Sequence, residues 1–148
     1  NFKRKRALEL LKLVGLEDFE LNLPSELSGG MKQRVSLCRS IVHKPEVLIL
    51  DEPFAALDAF TREDLWNVML KLKIEQDFTC ILITHDLREA VYLADQVIVL
   101  SGRPATLQYT VQSDFKKNKT ISDLYSSKVT KLLSTLRQQI EIAQSKNE

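Results

Sequence analysis

The sequence predicts an α/β fold: helices flanking a parallel sheet, with a further helix at the C-terminal end. Three observations predict it. Short runs rich in branched apolar residues recur at residues 47–50, 79–84 and 96–100, the pattern of strands buried in a parallel sheet. Stretches with apolar residues at helical spacing separate them. Breakers such as Pro45, Gly102 and Pro104 punctuate the alternation. The 148 residues are about one domain's worth, and 44% hydrophobic with 28% charged residues is ordinary for a folded chain.

Residues 2–16 read as an amphipathic helix with Leu8, Leu11 and Val14 on one face. Lys3, Arg4, Lys5 and Arg6 read as its solvated end. The charge balance, 21 Lys+Arg against 20 Asp+Glu, gives no case for nucleic acid as a partner. Residues 23–27 form a loop, and Ser28 is placed to cap a helix running to about residue 43. After Pro45 comes the strand 47–50, ending in Asp51, Glu52 and Pro53. Thr61 to Asp64 look like the capping-box start of a helix through Leu65, Val68, Met69, Leu72 and Ile74, to about residue 76.

Strand 79–84 follows, and Asp86 caps a short helix with Glu89 three residues on. Residues 96–100 are a third strand and 106–111 a further one. Residues 112–119 are polar and Lys-rich, hence the best linker, and 120–144 form the last helix. The expected domain is therefore 1–111, followed by 112–148 as linker and helix. No apolar run approaches the roughly 18 residues that span a bilayer. Cys38 and Cys80 form neither a disulfide framework nor a metal cluster, which fits a reducing compartment, and read as small buried hydrophobes. The chain opens with Asn1 and has only Met31 and Met69, so its start is expected to be a cut.

Three places can carry chemistry. Asp51 and Glu52 stand at the carboxyl end of a strand, where ligands of parallel sheets bind. One carboxylate there can hold Mg²⁺ through water, and the next can polarise an attacking water. Ser28, Gly29 and Gly30 open a helix whose backbone N–H groups and dipole suit an anion, although a lone Ser-Gly-Gly is more often a plain cap. His85 directly follows a strand and could donate to a phosphate oxygen, although a lone histidine there is more often structural.

Their order and spacing change these odds. Leu27-Ser28-Gly29-Gly30-Met31-Lys32-Gln33-Arg34, then Leu48-Ile49-Leu50-Asp51-Glu52-Pro53, then Ala56-Leu57-Asp58, then Thr84-His85-Asp86 follow one another closely. Together they resemble the signature, Walker B motif, D-loop and switch histidine of the nucleotide-binding subunit of ABC transporters, over about residues 6–104. Met31, Phe54, Thr61, Arg62 and the run Leu100-Ser101-Gly102-Arg103-Pro104 are similar to the nitrate/sulfonate/taurine importer branch.

The resemblance implies part of a P-loop NTPase domain that uses ATP and Mg²⁺, with 1–44 as its helical subdomain and signature helix and 45–111 as the core carrying Walker B, D-loop and switch histidine. It implies that Ser28, Gly29 and Gly30 touch the γ-phosphate of ATP held by a second nucleotide-binding subunit, with Gln33 following on the signature helix and Asp58 at the dimer seam. Asp51 would help to hold Mg²⁺, Glu52 would be the general base and His85 would sense the γ-phosphate. The subunit would energise import of a small molecule, bound to permease subunits and served indirectly by a solute-binding protein. It would sit on the cytoplasmic face of the inner membrane. A non-catalytic split half or remnant is the alternative. A soluble ABC protein of DNA repair or translation fits less well, because neither tandem domains nor long insertions are present.

The family also uses Gly-x4-Gly-Lys-Ser/Thr to wrap the phosphates. None of Gly15, Gly29, Gly30 and Gly102 begins it. The family's strand leading into that loop lies between those at 79–84 and 96–100, so two inner sheet edges are expected to lack a partner. Expressed alone, this chain is expected to be poorly soluble or molten and to hydrolyse no Mg-ATP. Cooperative unfolding with a native-like near-UV signal, or turnover abolished by Glu52→Gln, would contradict this.

Overall fold

A computed structural model describes residues 2–113 and 119–145. They fall into two compact units, Asn1–Ile83 and Thr84–Glu148.

The first unit contains helix α1 (Phe2–Leu13), a 3-10 turn (Pro24–Glu26), helix α2 (Gly29–Ile41), strand β1 (Val47–Asp51), helix α3 (Ala59–Glu75) and strand β2 (Thr79–Ile83). The stripe that α1 buries runs through Leu10 and on to Val14, while Leu8, expected on that face, is exposed. Gly15 ends the helix at φ +73°, with its N–H on the Lys12 carbonyl at 3.1 Å. Only a residue without Cβ takes that conformation at no steric cost.

Arginines from each helix satisfy carbonyls at the other's end. Arg34 Nη1 donates to the Val14 carbonyl at 3.0 Å. Arg6 donates to the Val42 and Ile41 carbonyls at 3.0 and 3.3 Å, and to Gln76 Oε1 at 2.6 Å. The last carbonyls of a helix have no intrahelical partner, so these guanidinium contacts complete α1 and α2. Arg6 is therefore an anchor, not part of a solvated basic end, while Lys3, Arg4 and Lys5 are exposed.

Helix α3 starts earlier than the sequence pattern suggested. Asp58 is its N-cap and accepts the Thr61 N–H at 3.0 Å, which places Thr61 inside the first turn. The helix buries Leu65, Trp66, Val68, Met69 and Leu72. Strands β1 and β2 pair in parallel, Val47 opposite Thr79 through Asp51 opposite Ile83.

Burial on both strand faces, expected from the apolar runs, does not occur. Leu48 is buried, but Ile49 is 64% exposed beside the half-exposed Ile81, and Val47 and Ile83 share that open face. Among the described residues no second layer covers it.

The second unit contains helix α4 (Leu87–Leu93), strands β3 (Gln96–Leu100) and β4 (Leu107–Gln112), a 3-10 turn (Ile121–Tyr125) and helix α5 (Ser127–Ser145). Strand β4 pairs antiparallel to β3 in a two-stranded sheet separate from the parallel β1–β2 pair. The short link at 101–106 permits a hairpin and is too short for a parallel crossover. Ser113 closes the end of the pair, its N–H on the Asp95 carbonyl at 2.7 Å and its hydroxyl on the Val91 carbonyl at 3.0 Å.

The last helix begins later than residue 120. Asp123 accepts the Thr120 N–H at 2.7 Å, which closes a separate tight turn before Ser126 leads into α5. Val91, Tyr92, Val97, Val99, Leu124 and Leu136 are buried in this unit. Of the expected linker, residues 114–118 lie outside the described residues. No helix among the described residues is long and apolar enough to cross a membrane.

Replacing Arg6 with alanine strips three acceptors of their charged donor. Denaturant unfolding of the whole protein is expected to show a loss of about 2 kcal/mol. A change below about 0.5 kcal/mol would remove Arg6 as an anchor.

Candidate functional site

The strongest concentration of predicted residues lies around the start of α2. Ser28 is the N-cap, and its hydroxyl accepts the Met31 N–H at 3.2 Å. The Ser28 carbonyl takes the Lys32 N–H at 2.9 Å, the first regular turn of the helix. Gly29 and Gly30 occupy the first two helical positions, whose N–H groups have no intrahelical carbonyl to reach. A Cβ added at Gly29 would meet nothing within 4 Å, so the backbone there is open to approach. A Cβ at Gly30 would come within 2.7 Å of Thr61 Cγ2, so that glycine is required for α2 to lie against the start of α3.

Ser28, Gly29, Gly30 and Asp58 line one open cavity of about 510 Å³, with Arg34, Phe19 and Thr61 among the other walls. The Asp58 carboxyl is held below its ordinary value, chiefly by the hydrogen bonds it accepts from Thr61. Two helix starts, those of α2 and α3, therefore border one cavity. The start of α2 carries partial positive charge and the N–H groups of Gly29 and Gly30, which favour an anion, whereas the start of α3 is already capped by the Asp58 carboxylate.

Asp51 and Glu52 are both exposed at the end of β1. Neither is among the residues lining that cavity. The Glu52 N–H donates to the Ile83 carbonyl at 2.8 Å, which extends the β1–β2 ladder by one step. Its φ is +44°, in the left-handed region. A non-glycine residue held there costs on the order of 1–3 kcal/mol and persists only when its surroundings enforce it. On the other side of Glu52, the Pro53 carbonyl accepts Gln33 Nε2 at 2.5 Å, and the next residue, Phe54, is fully buried.

Gln33, grouped by sequence with the nucleotide contacts, thus directs its amide within the chain, from the signature helix to the Glu52–Pro53 turn.

His85 lies in the second unit and is exposed between two ordered neighbours. The Asp86 N–H donates to Thr84 Oγ1 at 3.0 Å, and Asp86 Oδ1 caps α4 by accepting from Arg88 and Glu89 at 2.9 and 3.3 Å. Residues 84–86 are therefore a rigid turn that fixes where the histidine's backbone stands.

Among the described residues no three His, Cys, Asp or Glu side chains gather as a metal site. A hard cation at Asp51 would need phosphate oxygens and water to complete its shell, which is the usual state of protein-bound Mg²⁺. The oxygen donors of Asp51 and Glu52 fit such a cation. Burial pushes the Cys38 thiol up to about 11, and it also raises Cys80, partly offset by Lys73. Neither cysteine is an activated nucleophile.

The sequence pattern gave no sign of three contacts: Thr61 against Gly30, the Gln33 amide on Pro53, and the positive φ of Glu52. Each depends on how two elements meet, which periodicity does not encode.

Comparison with known proteins gives a consistent result. The family model described as ABC transporter matches residues 2–55. An aliphatic sulfonates import ATP-binding protein of Xanthomonas axonopodis pv. citri is 51% identical over 104 residues, covering 70% of this chain and 41% of the relative. A protein of the same name from Bacillus thuringiensis subsp. konkukian is 38% identical over 134 residues, 89% of this chain and 53% of the relative. An uncharacterized ABC transporter ATP-binding protein of Methanocaldococcus jannaschii is 46% identical over 111 residues, 75% and 42% of the two chains.

The chain thus spans about half the length of the curated relatives it matches. A solved ATP-binding cassette of an ABC transporter in its ADP conformation superposes with a TM-score of 0.67 at 22% identity, over 89% of this chain and 50% of that one. At that identity the match speaks for the fold.

In the whole protein, Gly30→Ala is expected to cost about 1–3 kcal/mol of stability through overpacking. Thr61→Ser, which removes the opposing methyl, should recover most of that loss in a double-mutant cycle. Additive effects in denaturant unfolding would show that the two residues do not press on each other.

Proposed function

The chain belongs to the ABC transporter ATP-binding family, and from that premise we propose that the whole protein is a transport ATPase subunit. It hydrolyses ATP to drive import of a small molecule through a membrane permease, at the cytoplasmic face of the membrane. Relatives named for aliphatic sulfonate import favour a sulfonate or a similar small oxyanion as cargo. By resemblance to such importers, selection of the cargo belongs to the permease and the solute-binding protein.

One observation carries the reading. The cavity at the start of α2 holds Ser28, Gly29 and Gly30, while Asp51 and Glu52, in the same unit, are not in its lining. The anion-binding groups of the unit thus line a cavity that its hydrolytic groups do not line. That separation supports a shared arrangement in which each nucleotide lies between two subunits. One subunit supplies its Ser28 helix start, the other its Asp51 and Glu52.

ATP supplies the phosphoryl group, and Mg²⁺ neutralises charge on its oxygens. The residues of this chain do the rest. The first-turn N–H groups of α2 and the Ser28 hydroxyl hold the terminal phosphate of the partner's nucleotide by hydrogen bonds and helix dipole. Asp51 offers a hard oxygen to the cation. Glu52 accepts the proton of the attacking water at its carboxylate. His85, placed by the Thr84–Asp86 turn, donates to a phosphate oxygen and so reports whether the terminal phosphate is present.

In the whole protein, Glu52→Gln is expected to lower Mg-ATP turnover by at least about 100-fold while ATP still binds. Release of phosphate and equilibrium binding of a fluorescent ATP analogue measure the two. Turnover within about threefold of wild type would refute the role of Glu52 as base.

A further inference from the structure

The Glu52 turn raises a mechanical question. A left-handed glutamate at the end of a strand needs contacts on both sides to keep it there. On its N-terminal side, the Ile83 carbonyl holds the Glu52 N–H at 2.8 Å. On its C-terminal side, the side-chain contact on the Pro53 carbonyl comes from Gln33, at 2.5 Å. Pro53 has no N–H of its own, so its backbone can be held by a hydrogen bond only through its carbonyl. The Gln33 amide reaches it across 20 residues of sequence, from the middle of α2, and the contact is partly buried. Partial burial limits replacement of the amide by water.

We propose that Gln33 is a positioning residue: its amide, bound to the Pro53 carbonyl, holds the turn that aims the Glu52 carboxylate. This rests on the reading of Glu52 as the general base. The role differs from contact with a nucleotide, because the amide acts on the chain's own backbone. It also makes α2 a member of both halves of the chemistry. Its first turn faces the anion cavity, and its side chain one turn later sets the geometry at β1. A small displacement of a base from its attacking water lowers the chemical step far more than it lowers ground-state binding.

The test uses two variants of the whole protein. Gln33→Met keeps nearly the same length and bulk but has no donor. Gln33→Lys keeps a donor that can reach a carbonyl. Two readouts are taken: steady-state Mg-ATP hydrolysis, and peptide-resolved hydrogen exchange over residues 50–57 with α3 as internal reference.

The expected result is a kcat about tenfold lower in Gln33→Met with KM for ATP within about twofold. Exchange at the Glu52 and Ala55 amides should be about tenfold faster than in wild type, with α3 unchanged. Gln33→Lys should recover most of both. Unchanged exchange over residues 50–57 in Gln33→Met overturns the proposal, whatever the hydrolysis shows. So does an equal rise in α3, which would mark a merely structural role. A wild type that hydrolyses no ATP would fail the functional reading instead, and the exchange arm would still decide the place of Gln33.

Discussion

The proposed chemistry depends on one constrained turn. Strand β1 delivers Asp51 and Glu52 to the sheet end, and Glu52 then takes a left-handed φ of +44° without being a glycine. A side chain can be aimed from such a position only if the backbone on either side is fixed. The ladder to β2 fixes one side through Ile83. The other is fixed by Gln33 and by the full burial of Phe54, the residue that follows Pro53. Helix α2 therefore has to be well anchored, since any tilt would be transmitted to the turn.

That anchoring explains the arginines. Arg6 ends α2 by binding its last carbonyls and also reaches Gln76, just past α3. Arg34 closes the end of α1. The other end of α2 is set by Ser28 as cap and by Gly30, which lets the helix approach Thr61 within a distance that a Cβ would not allow. Asp58, by capping α3, fixes the surface against which Gly30 rests. Ordinary capping and close packing thus place a helix start and a strand end in the first unit. The histidine turn of the second unit is built by the same means.

Much of this was legible in the sequence, because local rules generate it. Ser28 and Asp86 cap helices as their types and positions predict. The pairing of β1 with β2 follows from two branched apolar runs joined by a helix. Where the reading differed, a nonlocal contact decided. Arg6 looked like part of a solvated run until its partners 35, 36 and 70 residues away were known. Thr61 has the residue type of a cap, but Asp58, three residues earlier, takes that place by accepting the Thr61 N–H. The apolar runs implied strands covered on both faces, but burial depends on what packs above them, and Ile49 and Ile81 remain open here. The ordered set of motifs, by contrast, carried the resemblance to the family through the identities of their residues as well as their order.

The central claim is that Ser28 and Glu52 serve opposite subunits of a two-site dimer. It is tested most directly by mixing two inactive forms of the whole protein, Ser28→Arg and Glu52→Gln. In a mixed dimer, one site would combine an intact Ser28 with an intact Glu52, and the other would have neither. The account predicts that Mg-ATP hydrolysis returns on mixing to about a quarter of wild type, given random exchange of subunits in a two-fold dimer. Mixed dimers that form and remain inactive would contradict it.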